Sequence, residues 1–189
     1  MTEPKIAVID FFCGITHKSA QALISIVNNA LSQQSTEIVI RLASGGGSLS
    51  PTFAAYHFLR SLETPLKIYN MGNVESSAML LYLAGEIRVA APTSRFLIHP
   101  FDWTFAPGPV FLPALREAVA SLDFDSTRYS EIFNERTKNA NKPIDVLKCL
   151  NGEPSVIGAE DARLAGITTE DPAVYAIPTG ALHAWIVES

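Results

Sequence analysis

Through its first hundred residues the chain alternates short β-favouring runs with stretches of helical period. This alternation restricts the fold more than any other feature of the sequence. "KIAVIDFF" (5 to 12), "TEIVIRLA" (36 to 43), "PLKIYNM" (65 to 71), "EIRVAA" and "SRFLIH" read as strands. Between the first two, Leu23, Ile26, Val27, Ala30 and Leu31 share one helical face, with Thr16 as its cap. Ser50 followed by Pro51 reads as the N-cap and first position of a second helix, whose face is Ala55, Phe58, Leu59 and Leu62. "SSAMLLYLAG" reads as a buried helix ending at Gly85. Strands alternating with helices predict an α/β fold, a mostly parallel sheet covered on both faces.

After residue 100 the pattern changes. "FDWTFAPGPVF" is aromatic, rich in proline and glycine, and irregular. A long amphipathic helix follows, with Leu115, Val119, Leu122, Tyr129, Ile132 and Phe133 among its apolar positions. Another helix is expected after Pro143, a third over "SVIGAEDARLAGI", and a last strand over 181 to 187. With 189 residues and no internal repeat or linker, the whole of 1–189 is expected to form one domain.

Composition narrows the function. Charged residues make up 17% of the chain and apolar ones 48%, which suits a subunit with buried interfaces. The net charge of −5 and the lack of any Lys/Arg-rich segment argue against nucleic acid. The first residues lack a basic region and a cleavage site, and no apolar run is long enough to span a bilayer, so a cytoplasmic protein is expected. Cys13 and Cys149 stand far apart without ligand spacing, and neither a disulfide framework nor a metal or cofactor site is expected.

Three strand ends project chemistry toward one sheet edge, the usual location of a site in such folds. "ASGGGS" has backbone N–H groups free to approach a ligand, but it lacks the lysine of a phosphate-binding loop. "GNVES" delivers Ser76 to a helix start, and "RFLIHP" sets His99 at a strand end. A serine, a histidine and a set of backbone donors are the parts of an acyl-transfer site. Taken singly, each has a plainer reading: a helix cap, a core histidine, a turn. Their joint occurrence in order raises the functional one.

These residues resemble the proteolytic subunit family of the Clp protease (ClpP), within the wider ClpP/crotonase fold. The resemblance rests on "SGGGS" (44 to 48), "MGNVESS" (71 to 77) and "PTSRFLIHP" (92 to 100), with an ungapped interval from Gly47 to Ser76. It implies a sheet of repeated β-β-α or βαβ units with flanking helices and a helical second half. It also implies a serine peptidase with Ser76 as nucleophile, His99 as general base and the N–H groups of Gly47 and Ser77 as oxyanion hole. A peptide or unfolded protein would add as a strand along Gly45, Gly46 and Ser48. A homo-oligomer, with a ring as one form, would follow.

The sequence also departs from the family. Pro154 falls where the triad aspartate is expected, so Glu153 is the preferred acid, with Asn151 as substitute. The first strand starts almost at the N-terminus, without the family's axial loops, and Pro100 follows the histidine. Ring stacking and an ATP-driven unfoldase partner are therefore not carried over. Two other readings remain: a non-catalytic subunit of the same fold, and a crotonase-type acyl-CoA enzyme, which the Ser76/His99 pair disfavours.

Overall fold

The computed structural model describes residues 5–186. Its elements run β1 (Ile6–Phe11), α1 (His17–Ser32), β2 (Glu37–Ser44), α2 (Leu49–Arg60), β3 (Leu66–Glu75), α3 (Ala78–Leu83), β4 (Ile87–Ala90) and β5 (Arg95–Ile98). The second half adds α4 (Leu112–Arg136), α5 (Val146–Leu150), β6 (Ser155–Gly158), α6 (Ala159–Leu164) and β7 (Leu182–Ile186). Among the described residues, all seven strands belong to one sheet in the order β6-β5-β3-β2-β1-β7, with β4 on a side branch of β3. Every pairing is parallel except β5 with β6. The expected mostly parallel α/β sheet is present; the repeated units implied by the resemblance remain an expectation.

β3 organises the site. Its first half pairs with β4 through Lys67 to Asn70 and its second half with β5 through Asn73 to Glu75. Between the halves the register against β2 slips, Leu42 facing Asn70 but Ser44 facing Val74. Asn70, fully buried, fastens this kink: its Oδ1 accepts from Gly72 N–H at 2.9 Å and its Nδ2 donates to Arg95 O at 2.9 Å. The strand therefore runs through Gly72 to Glu75 instead of ending at residue 71.

Local sequence explains the helices, with two corrections. Thr16 and Ser19 form a reciprocal capping box at α1, and Ala20, Leu23, Val27 and Ala30 bury one face. α2 begins two residues earlier than expected, with Ser48 as N-cap and Pro51 in its first turn, because the glycine loop runs straight into the helix. The stretch read as one helix over "SVIGAEDARLAGI" is split: Ser155–Gly158 is β6, paired antiparallel to β5, and only Ala159–Leu164 is helical. Sheet pairing overrides helical spacing there, which a local reading cannot detect.

α1, α2 and α3 pack side by side over a core that includes Phe11, Leu23, Leu42, Ile68, Met79 and Phe96. The opposite face is not covered throughout. At the β1–β7 edge Phe12 and Trp185 are exposed. Buried Asp10 there holds Arg41 through two hydrogen bonds and His183 at 2.9 Å. Burial opposes ionisation of Asp10, but these hydrogen bonds and charges outweigh it and keep the carboxyl below its usual pKa. His183 thus acquires an acidic neighbour from a strand 173 residues away in sequence.

Candidate active site

Ser76 occupies the corner between β3 and α3 with φ 54°, a left-handed conformation rare for a residue with a side chain. Three contacts hold the corner. Ser76 N–H donates to Leu97 O at 2.9 Å, Ser76 O accepts from the buried Tyr129 hydroxyl at 3.3 Å, and Met79 N–H donates to Ser76 O at 3.2 Å. Burial pushes the Tyr129 phenol far up, so it remains a neutral donor. Strand-to-helix corners of this kind thrust a hydroxyl clear of the backbone.

The glycine loop is built against this corner. A Cβ on Gly46, at φ +87°, would lie 2.7 Å from both Glu75 O and Ser76 Cβ. One on Gly47, at φ +146°, would lie 2.2 Å from Ile15 O. Only glycine permits both approaches. On one side the loop pairs with Ile15, whose N–H donates to Gly46 O at 2.8 Å and whose carbonyl accepts from Ser48 N–H at 2.9 Å. On the other, Ser77 Oγ donates to Gly47 O at 3.1 Å. The second serine of the pair, fully buried, thus ties the loop to the start of α3. Gly47 N–H takes no part in these bonds.

Ser76 and Gly47 open onto a cleft of about 520 Å³ whose walls include Pro51, Phe101, Trp103 and Leu122. His17, Asp102 and Asp125 also line it. Sequence reading gave these three no role, because each lies in a segment without a motif and only the fold carries them to Ser76.

The histidine is half-buried at the end of β5, and its Nδ1 lies 2.8 Å from Pro100 O. Ser76 Oγ and His99 share no hydrogen bond among the described residues. Their backbones are close in register: Glu75 faces Leu97, so each residue follows the paired end of one of two neighbouring strands. The antiparallel pairing of Ile98 with Ser155 brings the turn carrying Asn151 and Glu153 toward the same strand end. Both residues of that turn are exposed, and the Glu153 carboxylate pairs with Lys148 Nζ at 2.8 Å. Glu75, the acid beside the serines, is engaged by Arg95 at 2.6 Å.

A model of the Clp protease family matches residues 5–107, more than half of the chain. The chain belongs to the Clp protease family. The matched segment contains the glycine loop, Ser76, Ser77 and His99, and it ends before α4. Asn151 and Glu153 lie outside it. No helix among the described residues is long and apolar enough to cross a membrane.

Proposed function

We propose that this member of the Clp protease family is a serine peptidase subunit. The observation that carries the reading is the left-handed corner at Ser76, braced from both sides and open to a cleft. Ser76 Oγ attacks the scissile carbonyl and passes its proton to His99 Nε2. The oxyanion that forms is received by the N–H groups of Gly47 and Ser77. Collapse expels the amine with the proton from His99 and leaves an acyl-enzyme, which water hydrolyses by the same route in reverse. The peptide lies extended along Gly45, Gly46 and Ser48.

The orienting role at His99 falls to the Pro100 carbonyl. Donation from Nδ1–H to that carbonyl leaves Nε2 unprotonated, the tautomer a base needs. Glu153 would have to leave Lys148 to replace it. Glu153→Gln should therefore hydrolyse a fluorogenic peptide within about threefold of the wild-type rate. A loss approaching 10⁴-fold would return the role to the carboxylate. His99→Ala should remove turnover in either case.

The second reading, a non-catalytic subunit, is favoured by the missing Ser76–His99 hydrogen bond. Absence of turnover in the wild type, whatever the peptide, would select it. We also propose assembly into a homo-oligomer through the N-terminal half of α4, where Phe111, Leu112, Leu115, Val119 and Phe124 are exposed.

A further inference from the structure

A second cavity, of about 330 Å³, shares no lining residue with the Ser76 cleft. It lies where the end of α4, the start of β4 and the turn after α6 meet. Arg88, Arg136, Lys138 and Arg163 line it, against the carboxylates of Glu86 and Glu135.

Arg88 is the unusual member. It is 3% exposed, and its guanidinium donates to four neutral carbonyls: Ile167 O at 2.7 Å, and Gly85 O, Arg136 O and Gly166 O at 3.0 Å each. Carbonyls satisfy its donors but do not cancel its charge, and a buried charge without an opposite one is costly. Burial first, and the neighbouring Arg136 second, lower its pKa to about 10. Glu86 does little to offset this, because Arg60 binds it directly and Arg136 approaches it at 3.7 Å. Lys138 has no carboxylate partner among the described residues, and Arg163 reaches the exposed Asp171 only at 3.7 Å.

A second observation is independent of charge. Thr168, 2% exposed and part of the cavity wall, has a hydroxyl without a hydrogen-bond partner. Buried hydroxyls rarely go unpaired, and this residue lies in the wall of a cavity lined by four cations, where an anion would be a fitting acceptor.

We infer that this cavity is an oxyanion site for a phosphate group, held by Lys138, Arg163 and the Thr168 hydroxyl with Arg88 and Arg136 supplying charge behind them. Its occupation would join the end of α4 to β4 and to residues 166–169, away from the peptidase cleft.

Calorimetric titration of the full chain with inorganic phosphate, at constant ionic strength, tests the site. A saturable one-site heat is expected, weakened about tenfold in the Lys138→Ala/Arg163→Ala double variant and about threefold in Thr168→Val. Ser76→Ala should titrate like the wild type. Glycerol phosphate in place of inorganic phosphate separates the sources: tighter binding points to a small phosphomonoester, equal or weaker binding to the free anion. No saturable heat up to ~20 mM phosphate, or a heat that neither variant changes, would overturn the proposal.

Discussion

The sheet-bearing part of the molecule, residues 5 to 100, and the long helix α4 meet their own needs to different degrees. In the first, most large apolar side chains are buried, Phe12 apart, and the Asp10–Arg41 pair is completed within the same chain by His183 of β7. In α4 only the C-terminal half is so treated. Tyr129 and Phe133 are fully buried, and Tyr129 reaches the Ser76 corner, whereas Leu112, Leu115, Val119 and Phe124 project into solvent from the other half. One helix therefore serves two purposes. Its end braces the Ser76 corner from within, and its start leaves exposed the apolar surface through which assembly is proposed.

Variants that break this contrast have effects of graded size. Ser76→Ala should lower peptide hydrolysis by about 10⁴-fold or more without changing the circular dichroism spectrum, since the loss is of a reacting atom only. Asp10→Asn should cost about 3 kcal/mol in chemical unfolding at neutral pH, because Arg41 would lose its counter-charge and the carboxylate acceptor that it shares with His183. The sign of the pH dependence follows from the lowered carboxyl. Its contribution is complete above the ordinary carboxylate pKa of ~3.9 and is lost as pH falls through the lower folded-state value. Wild-type stability should thus decline more steeply than that of Asp10→Asn below about pH 4.

Gly46→Ala acts at the junction of loop and corner. The added Cβ meets Glu75 O and Ser76 Cβ at 2.7 Å, and φ is +87°, so the loop must move. Turnover should drop about 10²-fold with a smaller change in stability. The smallest effect on folding is expected from Leu115→Glu/Val119→Glu, which touches the bare half of α4. Its unfolding midpoint at low concentration should match the wild type while light scattering shows the 20.5 kDa monomer in place of an oligomer. A wild type already monomeric at micromolar concentration would remove assembly from the account.

How much of this was readable in the residues depends on the range of the contact involved. Thr16 as a cap and the alternating strands and helices are local, and they stand in the structure where the sequence places them; the Gly47 to Ser76 interval is motif-borne, and the fold sets the glycine loop against Ser76. β6 was missed because its strand character comes from β5, some sixty residues earlier. The kink at Gly72 depends on buried Asn70 reaching Arg95 O, and the cleft residues His17, Asp102 and Asp125 are neighbours of Ser76 only after folding. The contact of His99 Nδ1 with the Pro100 carbonyl, on which the proposed orienting role rests, is illegible for another reason: a backbone acceptor has no sequence signature.

The left-handed corner is the centre of the account, and its chemical consequence can be read at a single atom. Treating the wild type with a fluorophosphonate, which labels only activated serines, and mapping the adduct by mass spectrometry tests it most directly. The adduct should lie on Ser76 and vanish in Ser76→Ala and His99→Ala, while Ser77→Ala retains it. An adduct on Ser77, or labelling that persists without Ser76, would contradict the account.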